Sequence, residues 1–145
     1  MQKHNLTRLS LRLVIALAAS VAFVAACAQN AAGNWSGHVD FSGAKGKDAQ
    51  EQKMIDGMKK TFGAAIIKLT MKADKTYHLV FPPVSGMKGQ TEDGKWSQKG
   101  KAVTMTDPKG KSETATLSSD GKKMVMLPPA SDPGPKGLKM VFTRG

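Results

Sequence analysis

From Gly63 onward the sequence is a succession of short segments that alternate apolar and polar residues, each ended by a turn signal, and this leaves few folds open to it. Alternation at period two puts one set of side chains on one face of an extended strand. Residues 65–74 and 75–81 read as two such strands around Ala73-Asp74-Lys75. Residues 94–98 and 101–107 pair around Lys99-Gly100, and 111–119 and 122–129 around Asp120-Gly121. An Asp-Gly pair is a strong hairpin signal because both central positions of a tight turn favour positive φ. Residues 137–145 form a last alternating strand. Pro82-Pro83 and the proline-rich stretch at 128–135 belong to connections, since proline cannot donate to a central ladder.

Ahead of these, Asn34 to Phe41 alternates strictly. Trp35, Gly37, Val39 and Phe41 share one face, and Asn34, Ser36, His38 and Asp40 the other. The period then changes. Met54, Met58 and Phe62 recur four residues apart with Ile55 beside them, which predicts an amphipathic helix over 48–62. Asp48 is placed to cap it and Gly63 to end it. The expected fold is therefore mostly β: a small antiparallel up-and-down β-barrel of about eight strands, with one amphipathic helix between strands 1 and 2. A meander of this length removes its exposed edges by closing on itself.

The first thirty residues carry a different message. Lys3, Arg8 and Arg12 precede an apolar run from Leu13 to Ala26, broken only by Ser20. That run is short for a membrane span, which needs about 20 apolar residues, and fits a secretory signal. Its end, Val24-Ala25-Ala26-Cys27, resembles the lipobox of bacterial lipoproteins. The resemblance implies diacylglycerol attached to the Cys27 thiol, cleavage just before it, and palmitate in the mature protein. Residues 1–26 would then be a signal peptide, 27–33 a lipidated cysteine and short tether, and 34–145 the domain. Ala28, where an aspartate would retain the protein, implies the outer membrane facing the periplasm, within the bacterial cell envelope. The alternative is ordinary secretion with Ala26-Cys27-Ala28 as the cleavage site. Cys27 is the only cysteine, so no disulfide braces the domain, and a lone thiol in an exported chain is a liability unless it is consumed.

Net charge is +11 for the whole chain, and removing Lys3, Arg8 and Arg12 with the signal leaves the mature part strongly basic. The positive charge is almost all lysine, scattered through turns such as Lys45, Lys88, Lys99, Lys109 and Lys122. Nucleic-acid binders more often cluster arginines and interleave aromatics, so no nucleic-acid partner is expected. A solvated surface with attraction to anionic headgroups is the simpler reading.

Two ends of the meander resemble the calycin superfamily, the lipocalins and fatty-acid-binding proteins. Gly33-Asn34-Trp35 matches the G-x-W that opens their first strand. The resemblance implies a basic residue on the last strand packed across that tryptophan to close the barrel's end. Leu138, Met140, Phe142 and Arg144 share one face at period two, and Arg144 is the only arginine of the mature part. A guanidinium stacks on an indole and forks to several carbonyls in a way that lysine cannot. The residues expected to line any ligand space are Phe41, Met71, Tyr77, Phe81, Met105 and Phe142. An eight-stranded barrel either fills with side chains or holds one small ligand.

No catalytic constellation stands out. His38 and His78 both read as solvent-facing, and no nucleophile elbow, P-loop or H-E-x-x-H is present. No cofactor and no metal are expected. Met124-x-Met126 puts two thioethers on one strand face, a copper-compatible pattern, yet methionine also fills irregular cores. The expected function is non-catalytic binding of a small apolar ligand by a membrane-anchored barrel. The alternatives are a structural or partner-binding domain, such as a protease-inhibitor-like barrel, and a periplasmic copper-binding lipoprotein.

Overall fold

A computed structural model describes residues 29–128 and 134–145. Cys27 and the signal-like segment lie outside the described residues. The described chain has eight strands and one helix. In order they are β1 (Gly33–Asp40), α1 (Ala49–Phe62), β2 (Ile67–Met71), β3 (Thr76–Phe81), β4 (Gln90–Lys99), β5 (Ala102–Thr106), β6 (Ser112–Leu117), β7 (Lys123–Met126) and β8 (Lys139–Arg144). Each strand pairs antiparallel with the next, and β1 pairs with β8 to close the barrel. The expected mostly-β, eight-stranded, up-and-down barrel with a helix between the first two strands is the fold observed.

Period-two alternation builds the interior. Trp35, Leu69, Met71, Tyr77, Leu79, Trp96, Val103, Met105, Ala115, Leu117, Met124, Met126 and Phe142 form one buried cluster. Outward positions carry Thr and Ser that bond across strands, as Thr106 does with Ser112 at 2.8 Å. No buried side-chain polar atom among the described residues lacks a partner, so closure carries no desolvation debt of that kind. Gly37 has a packing reason: a Cβ there would land on the Phe142 ring of the paired strand.

The helix begins where Asp48 accepts backbone N–H bonds from Gln50 (2.9 Å) and Glu51 (2.8 Å), which satisfies donors left free at a helix start. Glu51 reaches back to the Lys47 N–H at 2.6 Å. The Gly63 N–H bonds the Lys59 carbonyl and ends the helix. Its inward stripe differs from the expected one. Ile55 is buried and Met58 and Phe62 are half-buried, whereas Met54 is exposed. The inward stripe thus runs at spacings of three and seven rather than four and eight, and Met58 and Phe62 face the barrel residues Val39, Phe41, Ile67 and Phe81.

Two further differences bear on the site. Strand β4 starts at Gln90 rather than near Gly94, pairing Phe81 with Gln90 and Leu79 with Glu92. The turn expected at Asp120-Gly121 is wider than a two-residue hairpin, running from Ser118 to Lys122 with Gly121 at φ 68°.

Candidate functional site

The barrel has a closed end and an open end. β1 leaves the closed end at Gly33, so the β2–β3, β4–β5 and β6–β7 turns lie there too, and α1 lies at the other. At the closed end Arg144 lies over the Trp35 ring, with its guanidinium carbon 4.4 Å from the ring centroid. Its Nε donates to the Gly121 carbonyl (3.0 Å), Nη1 to Ala32 (2.7 Å) and Nη2 to Asn30 (2.7 Å). One planar fork thereby ties the last strand to the β6–β7 turn and to the segment preceding β1. The Trp35 indole N–H donates to the Ala31 carbonyl at 2.9 Å. Gly33 sits at φ +137°, and a Cβ there would collide with Arg144 Nη1. The glycine of the G-x-W motif therefore has both a backbone and a packing reason.

Residues 29–32, expected as part of a tether, are bound to this end. Gln98 accepts from the Ala31 N–H (2.8 Å) and donates to the Gln29 carbonyl (2.6 Å). Ala31 is fully buried. Beside them Trp96 donates to the Lys72 carbonyl at 2.9 Å, and Lys75 Nζ stands 3.9 Å over its ring. The closed half of the interior is thus filled.

The other half is not. A cavity of about 260 Å³ opens between β3, β4, β5, β6, β7 and β8. Its floor is apolar, with Leu79, Phe81, Met105, Met126, Met140 and Phe142, and its rim carries Tyr77, Glu92, Asp107, Lys111 and Glu113. A second space of about 220 Å³ under the helix is lined by Val39, Phe41, Met58, Phe62, Ile67 and Phe81. Phe81 is the wall shared by both.

Of the residues expected to line a ligand, Tyr77, Phe81, Met105 and Phe142 face the larger cavity and Phe41 faces the space under the helix. Met71 lines neither of these two; it is buried in the core opposite Gly33. Met124 and Met126 are both buried on the inner face. His38 is exposed, and His78 bonds Asp93 at 2.7 Å on the barrel's outside. Among the described residues, no three His, Cys, Asp or Glu side chains are grouped to hold a metal ion.

Sequence reasoning missed the three rim carboxylates. Glu92 precedes Gly94 and Trp96 on the inward parity of β4, Asp107 follows Val103 and Met105 beyond β5, and Glu113 precedes Ala115 and Leu117 on β6. Parity alone was the available signal. The Tyr77 hydroxyl donates to Glu92 at 2.5 Å. Lys111 pairs with Glu113 at 3.1 Å, and Asp107 accepts the N–H groups of Lys109 and Lys111. Three carboxylates against one ammonium give the mouth a negative balance inside a basic protein.

Burial, the bond to Glu92, and the charges of Glu92, Asp107 and Glu113 push the Tyr77 phenol well above its ordinary value. Because the folded value is raised, its contribution to stability is complete below pH 10 and lost as pH rises beyond it. Tyr77 is the only tyrosine. Alkaline absorbance titration is expected to show tyrosinate only well above pH 10 in the folded protein. Ordinary ionisation near pH 10 without unfolding would contradict the buried Tyr77–Glu92 contact.

No protein-family model, no curated protein and no solved structure matches the chain. The site's chemistry is therefore read from its own residues.

Proposed function

We propose that this chain is a membrane-anchored, non-catalytic binding lipoprotein of the calycin-like kind, placed in the bacterial envelope. Its barrel would take one small amphipathic ligand. The supporting observation is the larger cavity, apolar at its floor and edged by Glu92, Asp107 and Glu113. An apolar body gains from burial against Leu79, Met105 and Phe142 at about 25 cal/mol per Å². A cationic or hydrogen-bond-donating end suits the carboxylates. A fatty-acid carboxylate would face like charge at short range in a partly desolvated mouth, where such repulsion costs more than in water.

The test is displacement of a fluorescent apolar probe by an alkylammonium and an alkyl carboxylate of equal chain length. The ammonium is expected to compete at least about tenfold better, a difference of about 1.4 kcal/mol. Glu92→Gln together with Glu113→Gln is expected to erase most of that preference. Equal competition by the two ligands, or a preference for the carboxylate, would refute this reading of the site.

One observation favours a partner-binding reading. Ile66 is 55% exposed, Met87 47% and Leu127 65%, all in connections at the open end. Single exposed apolar residues are ordinary on protein surfaces, so ligand binding remains the preferred reading. Copper binding is less favoured, because Met124 and Met126 are buried on the inner face, whereas His38 is exposed and His78 bonds Asp93 on the barrel's outside.

A further inference from the structure

We infer that the closed end of the barrel is a membrane-apposed face that rests on anionic phospholipid headgroups, with the cavity mouth held away from the bilayer. This rests on the lipid-anchor reading of Cys27 and adds to it an orientation and a lipid preference.

Two independent observations meet at that end. The first is where the chain enters. Gln29 is bound to Gln98 and Asn30 to Arg144, both at the closed end. Cys27 is two residues earlier, and two residues of chain reach at most about 7 Å. Acyl chains on Cys27 would therefore bring the closed end to the membrane surface, with no slack to present another face.

The second is charge. The three turns of this end each carry two exposed lysines: Lys72 and Lys75, Lys99 and Lys101, Lys122 and Lys123. Arg144 adds a seventh cationic side chain, against only the acidic side chains Asp74 and Asp120. Both of those are occupied locally, Asp74 by Thr76 and Asp120 by Ser118 and the Lys122 N–H. At the open end, by contrast, lysines are interleaved with Asp48, Glu51, Asp56 and Asp107. A lysine close to an anionic bilayer contributes about 1 kcal/mol, within a Debye length of about 8 Å. Held against the surface by the anchor, these turns lie inside that range.

The experiment uses the full chain, expressed in a bacterial host with labelled palmitate, purified from membranes and reconstituted into vesicles. Acylation would occupy Cys27, so a single added cysteine can carry a fluorophore: Ala73→Cys at the closed end or Ser85→Cys at the open end, both exposed. A quencher attached to lipid headgroups is expected to quench the Ala73 probe several-fold more than the Ser85 probe in phosphatidylcholine–phosphatidylglycerol vesicles. That contrast should shrink in phosphatidylcholine alone and in the variant Lys72→Gln/Lys99→Gln/Lys122→Gln/Lys123→Gln, which spares Lys75 and Arg144 because they stack on the tryptophans. Incorporated palmitate with equal quenching at both ends, with stronger quenching of Ser85, or with a contrast indifferent to charge overturns the inference and leaves the anchor standing. Absent palmitate overturns the anchor. In that case salt-sensitive binding to the anionic vesicles through the Ala73 end upholds the basic face, and no such binding overturns both.

Discussion

Replacing Trp35 with alanine is expected to destabilise the barrel by about 3–5 kcal/mol, the usual range for truncating a large buried aromatic. Trp35 is 1% exposed, and its removal leaves a cavity beneath Arg144 together with an Ala31 carbonyl deprived of its donor. Arg144→Ala is expected to cost about 1–3 kcal/mol. It removes the stack on the indole and three charge-assisted bonds to the carbonyls of Asn30, Ala32 and Gly121, in a setting only partly shielded from water. Because the two side chains touch, the double variant should lose less than the two single losses combined, with a coupling of about 0.5 kcal/mol or more. Arg144→Lys keeps the charge and loses the fork, so most of the loss should persist. Urea unfolding followed by tryptophan fluorescence measures the parent and the four variants, Trp96 remaining as reporter in the Trp35 variants. Strict additivity would show that the stack does not hold the end closed.

The other large effect is all-or-none. Cys27→Ser is expected to abolish labelled-palmitate incorporation and to leave an uncut precursor of lower mobility, since the sequence offers no second thiol. Two acyl chains contribute about 0.8 kcal/mol per buried CH₂, enough for stable anchoring, and nothing of that is left in the serine variant. The barrel itself should keep its stability, because Gln29 and the residues after it hold the closed end without Cys27. Palmitate in the serine variant, or none in the parent, would remove the lipoprotein reading.

These two predictions draw on different depths of information. The lipobox-like run and the G-x-W opening are local strings, visible without any fold. The meeting of Trp35 and Arg144 was visible at one remove: parity put Arg144 on the face of Phe142, and closure of an eight-stranded meander puts the last strand against the first. The bond from Arg144 to the Asn30 carbonyl, 114 residues away in sequence, was not legible in that way, because residues 27–33 read only as a tether.

The rim carboxylates needed more. In QTED, the first four residues of β4, no apolar residue marks an inward face, so the segment looks like a loop. It becomes a strand because β3 offers a ladder edge, and Glu92 then falls beside Leu79 and within reach of Tyr77. A carboxylate on inward parity is invisible to hydrophobic periodicity, which counts only what water rejects.

Period-two alternation, proline exclusion and capping act within a few residues, so the kind and order of the elements and the inner face of most strands were legible without a fold, while the start of β4 and the width of the turn at 118–122 were not. Which half of the barrel is filled follows from long-range packing. Trp35, Trp96 and Gln98 with residues 29–32 crowd the closed end through contacts such as that of Ala31 with Gln98, 67 residues apart. The open half keeps smaller apolar groups and three carboxylates. Cavity volume and local charge are sums over many strands at one height, and that height exists only once the register of all eight has been set.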